Sequence, residues 1–197
     1  MKFNKHSDLE GKHAFLGASQ HAWLNYDVEH LEERWRNEKA RLEGTELHAL
    51  AENLIRKKVK LPKSTKTLNA YVNDAIGYGM EPEVLLFYSN NCFGTADTIK
   101  YDEKKRLLRI HDYKSGVRPQ YRIDKETDEV ILDQVRIYAA LFCLEYDIKP
   151  SDIDFELRIY QNDEMFVDIP KTDDIVSIMS KIITFDKVID RINLEDK

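Results

Sequence analysis

Two stretches that alternate apolar and polar residues, 93–101 and 107–113, flank the polar turn Asp102-Glu103-Lys104-Lys105. This pattern predicts a β-hairpin and constrains the fold more than any other feature of the chain. Alternate residues of a strand share a face, so Asp112 and Lys114 point the same way. With the turn centred near residues 104 and 105, Asp97 falls opposite Asp112. Paired residues of antiparallel strands have Cβ atoms about 4.5–5.5 Å apart. Two carboxylates that close repel unless a cation lies between them. Such an oxygen-rich site suits Mg²⁺ or Mn²⁺. A lysine beside it can orient an attacking water or steady phosphate charge. A D-x-K triplet alone is common, and each residue taken singly reads first as a solvated charge.

The rest of the chain predicts an α/β protein with a central mixed sheet flanked by helices. Residues 26–60 read as helical, with Gly44 as an interruption and Thr45 as the cap of a new helix carrying Leu47, Leu50, Ala51, Leu54 and Ile55 at i, i+3, i+4, i+7 and i+8. Pro62 closes this stretch, and a helix over 65–76 stops at Gly77 and Gly79. A strand over 84–88, the hairpin, and a helix over 128–146 follow. Strands at 155–160 and 165–169 flank Asn162-Asp163, a second hairpin signal. An apolar-striped helix over 172–194 ends the chain, either packed at home or forming a subunit interface. A single domain over 1–197 is expected, with its core at about 44–170. No apolar run approaches the roughly 18 residues that span a bilayer, and residues 1–8 carry no apolar signal-peptide core. The expectation is a cytoplasmic protein without a membrane partner. Cys92 and Cys143 form no CxxC motif.

Four motifs in order carry a resemblance: Gly44-Thr45-Glu46-Leu47-His48, Gly94-Thr95-Ala96-Asp97, Asp112-Tyr113-Lys114, and Gln134-Val135-Arg136-Ile137-Tyr138. Their order and spacing resemble the PD-(D/E)XK nuclease superfamily, in its RecB-like, phage-exonuclease-like branch. Residues 15–21 (Phe-Leu-Gly-Ala-Ser-Gln-His) look like the short Ser-containing signature that often opens this branch. The resemblance implies the PD-(D/E)XK fold and a Mg²⁺- or Mn²⁺-dependent deoxyribonuclease, an exonuclease acting in phage or bacterial recombination and repair. It implies Asp97 and Asp112 as metal-binding acids, Lys114 as the motif lysine and His48 as a nitrogen ligand. Gln134 and Tyr138, one helical turn apart, would contact the DNA backbone or the lysine. Glu83 resembles an auxiliary acid, with Glu81 an equal alternative. Structural roles stand beside these: a helical His is often a satisfied core residue, and Tyr138 sits in an apolar helix.

Some relatives hold an iron–sulfur cluster on four cysteines. This chain has two cysteines, so no iron–sulfur cluster is expected. The implied partners are single- or double-stranded DNA, with a recombination annealing protein or a helicase, or further copies of the chain, as possible company. A catalytically silent DNA- or protein-binding member of the same fold is the alternative.

The net charge of −6 argues against coating of nucleic acid by bulk charge. The excess lies in residues 147–197, which hold 13 acids and 7 bases. Arg56, Lys57, Lys58, Lys60, Lys63 and Lys66 form a stretch with no acid. It reads either as a solvated run or as a face for phosphates.

Overall fold

A computed structural model of the chain describes residues 25–195. The 15–21 signature lies outside the described residues. The chain divides into two compact units, Met1–Thr45 and Glu46–Lys197.

In the first unit the described residues are the start of helix α1 (Val28–Arg56) and the turn before it. Asp27 Oδ1 accepts the His30 N–H at 2.8 Å, a side-chain cap. Pairs Glu32–Arg36, Glu38–Arg41 and Lys39–Glu43 lace its exposed surface. Such exposed pairs lend the helix modest local support. Helix α1 is continuous through Gly44, contrary to the expected interruption. Thr45 does not cap a new helix, because its hydroxyl donates back to the Arg41 carbonyl at 3.1 Å.

The second unit is built on a five-stranded mixed sheet: β1 (Glu81–Ser89), β2 (Cys92–Asp102), β3 (Leu107–Lys114), β6 (Asp154–Gln161) and β7 (Glu164–Asp168), in that spatial order. All neighbours are antiparallel except β3 and β6. A parallel pair needs a crossover. Here it contains a small hairpin, β4 (Arg122–Ile123) with β5 (Val130–Ile131), and then α3 (Asp133–Glu145). Helix α3 starts later than the expected residue 128. Asp124 Oδ1 accepts the N–H groups of Glu126 and Thr127, and Asp128 has a positive φ, so those residues form a turn.

Alternation along the strands makes two cores. On one face Leu86, Leu108, Ile110, Leu157 and Ile159 meet Leu132, Val135 and Ala139 at and within α3. On the other, Tyr113 and Tyr160 meet Ala51 and Ile55 of α1 and Tyr71, Val72 and Ala75 of α2 (Thr67–Tyr78). Helix α1 ends at Arg56, before Pro62. Lys58 turns to a positive φ there, while the Lys58 and Val59 N–H groups bond the carbonyls of Ile55 and Leu54. Gly77 stays inside α2, and Gly79, in the left-handed region at φ 65°, closes it. Helix α4 (Thr172–Glu195) packs Ile175, Ile178, Met179 and Ile182 on the first core. Further along it leaves Phe185, Ile189 and Ile192 exposed. Both cysteines are free thiols. Among the described residues, no helix is long and apolar enough to cross a membrane.

Candidate metal centre

Three carboxylates lie in one row across three adjacent strands. The pairs Pro82↔Thr98 and Val84↔Ala96 put Glu83 abreast of Asp97. The pair Thr98↔His111 ends the ladder between β2 and β3, and the next step brings Asp97 abreast of Asp112. That is the register the turn symmetry implied. The ladder stops there because Asp97 Oδ2 takes the Tyr113 N–H at 2.8 Å. Glu83 has a φ of 53°. The left-handed region costs a non-glycine residue about 1–3 kcal/mol, so the surroundings hold this residue in place at a cost.

His48 enters from α1. Its Nδ1 is 3.5 Å from Asp97 Oδ2, and its ring meets Tyr113 edge-on. One donor atom each from His48, Glu83 and Asp97 lie within 4.8 Å of one another. Glu83 rather than Glu81 joins this cluster. Burial holds the His48 pKa below its usual value despite opposing fields from Asp112 and Glu83. The imidazole is therefore neutral near pH 7, the form that ligates metals.

Asp112 is not one of this trio; it lies behind it, abreast of Asp97, and is 1% exposed. Lys114 Nζ lies 2.8 Å from its Oδ2. That approach is an ion-pair distance without hydrogen-bond alignment, and neither Asp112 oxygen accepts a hydrogen bond among the described residues. Burial first, then the field of Asp97, pushes the Asp112 carboxyl well above the carboxylate range; Lys114 opposes this. Burial also raises Asp97, against the Tyr113 N–H and Lys114. Buried polar atoms are nearly always satisfied, so the orphaned carboxylate needs an explanation. Among the described residues, the two other orphaned buried side-chain atoms are His111 Nε2 and Arg158 Nε, on the α2 side. Burial drives His111 down to about 3, so it is neutral and adds no charge.

Lys114 also donates to Gln134 Oε1 at 2.9 Å, and Gln134 Nε2 donates to the Tyr138 hydroxyl at 3.1 Å. The helix-face pair thus reaches the lysine, as one of its expected partners. Gln134 is exposed at the mouth of the site.

Comparison of the chain with protein-family models, with curated proteins and with solved structures finds no match. The superfamily resemblance therefore rests on the residues and their arrangement.

Gly94 was part of a motif without a stated role, and two further supporting residues, Asp168 and Gln161, escaped sequence reading. A Cβ on Gly94 would meet Tyr138 Cε1 at 2.9 Å, so the glycine lets the tyrosine ring lie against β2. Asp168 of β7 accepts the Leu132 N–H and both arms of Arg136, at 2.6–2.9 Å. It replaces the missing side-chain cap of α3 and fixes where Gln134 projects. Buried Gln161, next to Lys114 in the parallel register, bonds the backbone of Gly116, Arg118 and Gln120. It pins the loop that leaves the lysine. A glycine followed three residues later by an acid was the only sequence signal for any of these.

Proposed function

We propose that the chain is a metal-dependent nuclease of the PD-(D/E)XK kind that hydrolyses phosphodiester bonds of DNA. The observation that carries this reading is the buried, unsatisfied Asp112 in one row with Asp97 and Glu83, with Lys114 and His48 beside them. The donor set fits Mg²⁺ or Mn²⁺: carboxylate oxygens with one neutral imidazole. Asp97, Asp112, Glu83 and His48 are the residues that would hold the ion. When bound, it supplies an activated water and charge stabilisation at phosphate oxygens.

The chain's own residues do the remaining work. Asp112 keeps Lys114 at the site through the 2.8 Å ion pair. Gln134 takes one of the three ammonium hydrogens, and Tyr138 fixes the amide. The ammonium is thereby aimed at a fixed point, where it can pair with a phosphate oxygen or orient the attacking water. Packing of Tyr138 against Gly94 keeps that relay in place.

The test is cleavage of end-labelled linear and closed circular DNA by the full chain with Mn²⁺. Cleavage lost in both Asp112→Ala and Lys114→Ala, with unchanged circular dichroism, is the expected result. A folded wild-type chain that cuts no DNA overturns the reading. Calorimetric titration with Mn²⁺ then tells a silent binder of the same fold from a site misassigned altogether.

A further inference from the structure

The stretch from Arg56 to Lys66 holds six bases and no acid. Two are neutralised: Arg56 by Glu52 at 2.7 Å and Lys66 by Asp163 at 2.7 Å. Lys57, Lys58, Lys60 and Lys63 are exposed and make no ion pair among the described residues. Like charges so close in sequence repel, and a solvated run with no other task would be left loose. This one is held. The Asn73 side chain bonds both the N–H and the carbonyl of Leu61, each at 2.9 Å. Asn69 donates to the Pro62 carbonyl at 2.9 Å. Asp163 accepts from the Thr67 N–H and hydroxyl, and its own N–H returns to the Thr67 hydroxyl.

The two ends of the loop are tied to the candidate centre. At one end Arg56 donates to the carbonyl of Pro82, the residue before Glu83. At the other, the Asn162-Asp163 turn holds Lys66 and Thr67 by its second residue. By its first, through Asn162 Nδ2, it holds the carbonyl of Val117, in the loop that leaves Lys114. Both turn residues have positive φ, 55° and 61°. Glycine is the easier occupant of such positions, but it has no side chain to make the bonds that Asn162 and Asp163 make to the two loops.

The geometry points to the loop of Lys57, Lys58, Lys60 and Lys63 as a preset track for a phosphodiester backbone, with Asp163 as its positioning residue. The inference rests on the nuclease reading for its orientation, since a strand entering the centre would pass along this edge. It does not rest on cleavage. Lysines carried on a backbone fixed before binding give up less conformational freedom when phosphates dock.

The test is fluorescence anisotropy of the full chain with labelled single-stranded DNA, duplex DNA and RNA, in EDTA, across a salt series. The three probes identify which backbone the track takes. Combined Lys57→Gln, Lys58→Gln, Lys60→Gln and Lys63→Gln substitution should weaken binding at least about tenfold near 0.1 M salt and lower the salt slope by about 3–4, since each of the four lost phosphate contacts removes about 0.7–0.9. Asp163→Gly keeps the turn and removes an acid. Simple charge predicts tighter binding for this variant; positioning predicts weaker binding with the slope unchanged.

An unchanged slope in the quadruple variant overturns the track. Tighter binding by Asp163→Gly overturns the positioning role. Lysine-dependent binding to phosphatidylserine vesicles, with none to any nucleic acid, overturns the choice of partner. Binding in EDTA without cleavage in Mn²⁺ would sink the nuclease reading and leave the track standing; cleavage with an unaltered quadruple variant would do the reverse.

Discussion

Asp168 and Asp112 are both buried acids beside α3, and both face a cation. Asp168, 3% exposed, accepts three hydrogen bonds, two of them from Arg136. Asp112 has the Lys114 ion pair but accepts no aligned hydrogen bond among the described residues. The first pair is closed: every lone pair that matters is used, and its work is to seat a helix. The second is open, and its carboxylate is pushed toward the protonated form by burial and by Asp97. A buried charge that folding alone leaves unsatisfied marks a place where something else completes the structure. The two sites should therefore answer substitution in opposite ways.

The largest effect expected is on activity. Asp112→Asn should remove Mn²⁺-dependent cleavage yet cost the metal-free protein little, because relief of a buried charge beside Asp97 offsets loss of the Lys114 ion pair. Equal loss of melting temperature in Asp112→Asn and Asp168→Asn would erase the distinction. Next comes Asp168→Ala, which strands Arg136 and should cost about 3–5 kcal/mol, the range for breaking a buried pair. Urea denaturation with an unchanged slope reads this directly. Mn²⁺ at a hundred times its Kd should stabilise the wild type by about 2.7 kcal/mol. Asp97→Asn should lose that gain; retention would place the ion elsewhere.

The pH dependence has a definite sign. Asp97 and Asp112 have folded pKa values raised above their unfolded ones. Their contribution to stability is complete below the unfolded carboxylate range and is lost as pH rises through the raised folded range. Metal-free protein should thus lose stability from this pair between acid and neutral pH, and saturating Mn²⁺ should flatten the loss. Smallest is Arg122→Ala. It breaks the exposed pair with Asp133 and should change stability by about 0–1 kcal/mol.

The hairpin and its acids were legible because strand alternation and turn symmetry are local. The apolar stripe beside His48 and the Gln134–Tyr138 spacing were legible for the same reason, as helix periodicity. What depended on distant partners was not. Gly44 and Thr45 carry strong helix-ending chemistry, but the helix continues, since a hydroxyl can turn back on the preceding carbonyl. The start of α3 is set by Asp168, which arrives from a strand many residues later. Glu83 and Glu81 are indistinguishable along the chain; only the register beside Asp97 separates them.

The row of acids also bears on how the chain folds. Glu83, Asp97 and Asp112 belong to one meander, residues 81–114, closed by two short turns. Short loops close early and at low entropic cost. His48 and Lys114's partner Gln134 come from helices outside it. If the meander closes first, the carboxylates meet before the helices cover them, and their repulsion opposes that step. Refolding should accelerate when the acids are protonated or when Mn²⁺ is present from the start, and stopped-flow measurements of Asp97→Asn should show that acceleration built in.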